Sequence, residues 1–339
     1  MALNRRDFLA CLPLGVLGCA GGEQRRVQSG YVEIARTAPS GELKGTVLVA
    51  MPETAQTKEV WTGLNDELGK ECSLVAIRAE GDGIAAAIER GVDTHKPSGI
   101  VLMNNPTVAA YRAVQRKHRA AQFPAAVIVM TSFLDGHPQQ LSAATGISYE
   151  VPLITAITNL RKVIATPIER VGVILRAPQR AFVARQTELA RREQIRVISQ
   201  EVSHSANSSE LKWALRRVKQ NVDVVWILND DRLLSPKLIS EGWLPGLNER
   251  PFKPTVVGAA SLVSPALSFG TFAVLPDHTA LGVQAASLVF DIADNGWTVP
   301  PDAEVQLPLS TTTSVDLPQA RERFELRADA LKQIDRILE

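Results

Sequence analysis

The sequence predicts an α/β protein made of two doubly wound parallel-sheet lobes joined by a hinge. Three observations lead there: the strand-like runs are continuously apolar, they alternate with longer amphipathic runs, and the alternation occurs twice. Runs such as Ile100–Met103 and Ala126–Met130 have no polar face, the pattern of strands covered by helices on both sides.

In the first run, strands are expected at Thr46–Met51, Ser73–Ala79, Gly99–Met103 and Ala125–Thr131, with helices at Thr57–Leu68, Ile84–Thr94 and Thr107–Ala121. Val151–Ile164 is the helix between the runs. The second run has strands at Val171–Leu175, Arg196–Gln200, Val222–Leu228, Thr255–Gly258 and Phe269–Val274. Its helices are expected at Ala181–Arg192, Ser208–Lys219, Pro236–Glu241 and Thr279–Asn295. Pro106 can open a helix at its first turn, and Pro124, Pro167 and Pro254 stop helices just before strands. Asn207 with Glu210 three residues on reads as a capping box. A closed barrel is set aside because of the break at Leu134–Pro138 and the irregular tail from Thr298 to Leu317.

The amino terminus reads as an export signal. A basic start is followed by a short, weakly apolar run from Ala10 to Gly18, too short for a membrane span. Arg5-Arg6-Asp7-Phe8-Leu9 resembles the twin-arginine signal, and Val16-Leu17-Gly18-Cys19 resembles a lipobox in which Cys19 carries the lipid. The alternative is an ordinary secretory signal with an incidental Cys19. The expected organisation is a signal over residues 1–19 and a tether and lead-in over 20–44. Lobe one then comprises 45–148 plus 275–300, and lobe two 149–274 plus 301–339.

Composition narrows the function. The chain has 339 residues, 37 basic and 36 acidic, so it lacks the electrostatic footprint of a nucleic-acid binder. Aromatics make up 5%, too few for a large stacking platform. Cys11 and Cys19 fall in the signal, which leaves Cys72 alone, with no partner for an internal disulfide and in the setting of a buried core residue. The five His residues show no metal-ligand spacing, and no metal or cofactor is expected. Gly81-Asp82-Gly83-Ile84-Ala85-Ala86 has the outline of a dinucleotide fingerprint, but Asn104-Asn105 stands where the acid closing that motif would be. The Trp residues are expected mostly in the core, with Trp61 a candidate near the first cleft loop.

Several short patterns run together along the chain: Thr145-Gly146-Ile147-Ser148, Ile168–Leu175, Asn221–Trp226, Asn229-Asp230-Asp231 and Leu281-Gly282-Val283-Gln284-Ala285-Ala286. On these, residues 45 to 315 resemble the ABC-transporter substrate-binding lipoproteins, a branch of the type I periplasmic binding proteins. The resemblance implies two hinged lobes, a small-molecule ligand, an ABC permease partner and a lipid anchor in the cell envelope. The chain departs from the family at Arg176–Arg180 and at Ser310–Asp316, which leaves the ligand class open.

In open α/β lobes, ligands bind beyond the carboxyl ends of the strands. That rule nominates Glu53, Thr54, Asn104, Asn105, Thr131, Ser132 and Ser148 from the first lobe, with Glu150 at the crossover. From the second lobe it nominates Arg176, Gln179, Arg180, Asn229, Asp230 and Ala259. Arg176 could clamp a carboxylate, and Asp230 or Glu53 could receive an ammonium, so an amino-acid-like zwitterion or an organic acid fits. Each residue also has a local alternative: capping for Asn104 and Asp230, solvent for Arg176, Arg180 and Glu53. The expected function is solute delivery to an ABC importer without chemistry. The alternatives are a ligand-sensing regulatory protein for a membrane receptor and an exported enzyme.

Overall fold

A computed structural model describes residues 31–39, 41, 43–118, 122–134 and 141–339. The signal, Cys19, the tether to Gln28, residues 119–121 of the third expected helix and residues 135–138 of the expected break lie outside the described residues.

The first lobe runs β1 (Glu33–Thr37), β2 (Gly45–Met51), α1 (Ala55–Leu68), β3 (Cys72–Arg78), α2 (Ile84–His95), β4 (Gly99–Met103), α3 (Asn105–Lys117), β5 (Ala125–Thr131) and β6 (Ala144–Ser148). The chain crosses to the second lobe at α4 (Leu153–Val163) and continues β7 (Arg170–Leu175), α5 (Arg180–Arg191), β8 (Arg196–Glu201), α6 (Ser208–Lys219) and β9 (Val224–Ile227). There follow α7 (Pro236–Leu238), α8 (Leu244–Leu247), β10 (Thr255–Val257), β11 (Phe272–Pro276), α9 (His278–Asp294), β12 (Thr311–Asp316), α10 (Leu317–Arg323) and β13 (Arg336–Leu338).

The sheets are ordered β1-β3-β2-β4-β5-β6 and β13-β12-β11-β10-β9-β7-β8. Within each, the inner strands are parallel and the connections reverse direction at the first of these parallel strands, β2 and β7. Apolar continuity in the strands has a simple cause. Along β2, Val47, Val49 and Met51 join the core beneath α1 and α9, while Leu48 and Ala50 join the core beneath α2 and α3. Both faces are buried, so neither can be polar.

Four of the described strands, β1, β6, β12 and β13, were not expected from the sequence. β1 lies within the expected lead-in and pairs antiparallel with β3, where its half-exposed Glu33-Ile34-Ala35-Arg36-Thr37 gives little hydrophobic signal. β12 pairs antiparallel with β11 and then parallel with β13, inside a tail read as irregular. Its Thr311-Thr312-Thr313-Ser314 run looks like a loop, yet Thr313 and Ser314 are buried. Asp335 satisfies Thr313 by accepting from its N–H (2.7 Å) and its hydroxyl (2.8 Å). At α6, Asn207 caps as expected, but Glu210 turns away to Ser203 and does not close the box. Trp213 is also corrected: it is half-exposed beneath the Arg217 guanidinium and not in the core.

After β11 the chain returns to the first lobe, and α9 packs across α1 with the two backbones in contact. A Cβ on Gly63 would lie 2.1 Å from the Thr279 carbonyl oxygen, and one on Gly282 would lie 2.1 Å from that of Val60. The glycine in the Leu281–Ala286 pattern is therefore a packing requirement. Gln284 in the same pattern reaches the last chain crossing: its amide donates to Gln306 Oε1 and the Leu307 carbonyl (2.9 Å each) and accepts from the Leu309 N–H (3.2 Å).

Gly282→Ala should force α1 and α9 apart and cost about 1–3 kcal/mol, as overpacking of a tight contact does. Urea denaturation of the variant and the parent checks this; coincident midpoints would contradict it.

Candidate functional site

Among the described residues the chain passes between the lobes three times, after Ser148, after Pro276 and between Gln306 and Thr311. At these passages the carboxyl ends of both parallel sheets meet. The Phe133 ring, just beyond β5, stands edge-on to Phe182 of α5 at 5.3 Å, and Phe182 in turn packs against Trp226 of β9 at 5.9 Å.

In the first lobe the point of strand reversal lies between β2 and β4. Thr54 caps α1, its hydroxyl accepting from the Thr57 N–H, and Asn104 caps α3 by accepting from the Thr107 N–H (3.0 Å). Asn105 Oδ1 accepts from the Ser132 N–H (2.8 Å), tying the ends of β4 and β5 together. Thr131 is fully buried, with its hydroxyl on the Val129 carbonyl. Glu53 pairs with Arg78 at 2.6 Å on the surface.

In the second lobe the reversal lies between β7 and β9, and there Arg176 and Asp230, expected at opposite ends of a ligand, face each other. The guanidinium donates twice to the carboxylate (2.7 and 2.6 Å), with both side chains buried, and its third nitrogen lies 3.2 Å from His204. Asp230 also accepts from the Arg232 N–H (3.0 Å). A carboxylate ligand would have to compete with a complete two-bond ion pair. Arg180 is exposed and pairs with Glu201 at 2.7 Å. Asn229 donates to the Gly258 carbonyl (3.2 Å), and Ala259 leads into a single 3-10 turn at Ala260–Leu262.

The unmet charge of the site sits at the first crossing. Glu150 is 7% exposed; its Oε2 accepts from the Phe133 N–H (2.9 Å) and the Ser148 hydroxyl (3.4 Å), while its Oε1 is buried without a partner. Burial pushes its pKa up to about 7 against those hydrogen bonds. It forms part of the wall of a cavity of about 30 Å³, with Tyr149, Ala156, Trp226, Asn229, Val257 and Gly258 among the other walls. The backbone here is strained: Asn104, Met130 and Phe133 have φ of 95°, 55° and 55°. For a bulky side chain such as Phe133 this costs on the order of 1–3 kcal/mol, and such strain collects at ligand clamps.

A second network spans the hinge. His278, the first residue of α9, donates from Nδ1 to Glu59 of α1 (3.0 Å) and accepts the Tyr149 hydroxyl at Nε2 (2.9 Å). Burial lowers the His278 pKa and pushes Tyr149 up to about 12, so the neutral forms persist at pH 7. Arg336 of β13 lies 3.9 Å from the same Glu59.

A larger groove of about 610 Å³ lies elsewhere, between the end of α9 and residues 300–306, with Asp291, Asp294, Asp302 and Glu304 in its walls. It is open to solvent and lies toward the start of β6, away from the carboxyl ends of the strands. Among the described residues, no three His, Cys, Asp or Glu side chains form a metal-binding group, and no helix is long and apolar enough to cross a membrane. Phe133, Tyr149 and His278 were not nominated from the sequence; their one available signal was position immediately after a strand.

No family model matches the chain, and no curated protein matches it. Solved structures do. A substrate-binding protein with adhesive properties from Clostridium difficile, in its ligand-free open form, gives a TM-score of 0.61 at 14% identity, covering 86% of this chain and 98% of that one. A conserved domain protein from Vibrio cholerae gives 0.56 at 17% identity over 86% and 98% of the two chains. An ABC domain from Streptococcus pneumonia, solved with L-Trp, gives 0.55 at 14% identity over 86% and 100%. The fold is that of the type I periplasmic binding proteins.

Removing one member of the buried pair, as in Asp230→Ala, should cost about 3–5 kcal/mol, whereas Arg180→Ala should cost no more than about 1 kcal/mol. Chemical denaturation of both variants separates them, and equal losses would contradict the structure.

Because the folded-state pKa of Glu150 is raised, its neutral form is favoured by folding below the unfolded value of 4.5, and that stability is lost as pH rises through about 7. Glu150→Gln should therefore match the parent at pH 4 and exceed it at pH 8 by on the order of 3 kcal/mol. Taking the difference between the two proteins cancels the opposite trend of His278. A difference that stays flat with pH would refute the raised value.

Proposed function

We propose that this protein is an exported, lipid-anchored solute-binding protein that closes by hinge motion around a small polar solute and delivers it to an ABC permease. The observation that carries this is the convergence of three chain crossings, two sets of strand carboxyl ends and one buried, half-bonded carboxyl, Glu150, at a single place. A hinge supports closure because its pivots are fastened: Gln284 holds the third crossing, and His278 with Tyr149 holds the first to the second.

The solute would lie beyond β4 and β5 on one side, near Asn105 and Ser132, and beyond β9 and β10 on the other, near Asn229 and Gly258. The neighbouring folds support binding without chemistry, since the Clostridium difficile protein is a substrate-binding protein and the Streptococcus pneumonia domain holds an amino acid. Export is supported by the basic start and the Arg5–Leu9 string, and lipidation at Cys19 by the Val16–Cys19 pattern. Because Asp230 already occupies the Arg176 guanidinium, the organic-acid class of solute loses its clamp.

A thermal-shift panel of amino acids, organic acids, amines, purines and sugars on the mature protein tests the role. A hundredfold excess of the true solute over its Kd should add about 2.7 kcal/mol of stability. One responding solute class is expected; turnover of a solute, or a response to none, would contradict solute binding.

A further inference from the structure

We propose that the solute is an organic cation, an amine carrying an apolar body, and that the half-bonded Glu150 carboxylate receives its charged head. This rests on the binding role proposed above and specifies its ligand.

A carboxylate offers about four acceptor positions, and a buried one left half-used is uncommon without a functional reason. Here Oε2 accepts from the Phe133 N–H and the Ser148 hydroxyl, the Ser132 side chain and the Glu150 N–H also act on the carboxyl, and Oε1 makes no hydrogen bond of its own. The cavity that Glu150 helps to wall has no Lys, Arg or His in its lining. A ligand anion placed there would meet a carboxyl and no positive group; an ammonium would meet its natural acceptor. The rest of the lining is aliphatic except for Tyr149, Trp226 and Asn229, and the Tyr149 hydroxyl is taken by His278.

The aromatic rings strengthen the case. Trp226 is a wall of the cavity, Phe182 packs against it, and Phe133 of the opposite lobe packs against Phe182. A carboxylate beside an aromatic wall, here Trp226, is the chemistry that recognises ammonium groups. At about 30 Å³ the cavity suits a head group alone, so the apolar body would take the space that opens when hinge motion separates Phe133 from Phe182. A zwitterion would bring a carboxylate as well, and the Arg176 guanidinium is already held by Asp230.

The cation should bind the ionised carboxyl. The titratable groups around Glu150 are Tyr149 on its own segment and, through the Tyr149 hydroxyl, His278 of α9 and Glu59 of α1. The β5 side presents the Phe133 N–H and the Ser132 side chain, and the β9 side presents Trp226 and Asn229, none of which titrates in this range.

Isothermal titration of the parent and of Glu150→Gln with phenethylamine, phenylalanine and phenylacetate, at pH 6 and pH 8, tests the assignment. Phenethylamine should bind the parent best, about tenfold more tightly at pH 8 than at pH 6, as the ionised fraction of Glu150 rises. Glu150→Gln, near in shape and expected to fold more stably at pH 8, should lose at least about tenfold in amine affinity and lose the pH dependence. Tighter binding of phenylalanine or phenylacetate, or an unaffected Glu150→Gln, would overturn the amine assignment and leave solute binding standing. No binding by any of the three, together with a silent solute panel, would overturn both.

Discussion

The contact of α1 with α9 through bare backbone is the constraint on which the rest of the structure depends. Gly63 and Gly282 let each helix approach a carbonyl of the other closely enough to leave no room for a methyl group. That approach sets α9 on the first lobe although the chain reaches it from the second. It places His278 against Glu59 and Tyr149, and it aims Gln284 at the segment that carries the chain back across. All three crossings are thereby referred to one helix pair. The hinge is local, fixed by short-range bonds, and the lobes it joins have their own cores on both faces of each sheet.

Two buried charge arrangements at the cleft differ in a way that matters chemically. Arg176 and Asp230 are closed on each other, with two short hydrogen bonds and further donors to the carboxylate. Such a pair fixes the ends of β7 and β9 at the point where strand order reverses, a structural task at a place where other folds of this topology bind ligands. Glu150 is open: desolvated, bonded on one oxygen, bare on the other. The first arrangement is complete in the protein alone, and the second leaves one buried oxygen without a hydrogen bond.

Much of the fold was legible in the sequence, because burial on both sheet faces leaves a continuous apolar run that no loop would carry. β4 and β6 show the limits. Ile100–Met103 announced itself, whereas Ala144-Thr145-Gly146-Ile147-Ser148 hid a strand behind small and polar residues. β12 hid for a related reason, since its buried Thr313 is satisfied by Asp335, more than twenty residues away in the chain. The site was legible as a place and not as a set of bonds. The rule about strand ends put Arg176 and Asp230 in the right neighbourhood, but nothing in their separation along the chain says that they choose each other. Glu150 could be placed at the crossover, yet its loss of solvent depends on Phe133 and Trp226, which approach it from other elements.

The most direct measurement is the titration of the Glu150 side chain itself, by NMR of protein labelled with carbon-13 at the glutamate carboxyl and assigned with Glu150→Gln. A buried carboxyl with one bare oxygen predicts a midpoint near the value of about 7 that burial imposes. A midpoint in the ordinary range around 4.5 would mean that Glu150 is solvated or already paired, and the cleft would then lack the unmet charge on which the proposed function and ligand depend.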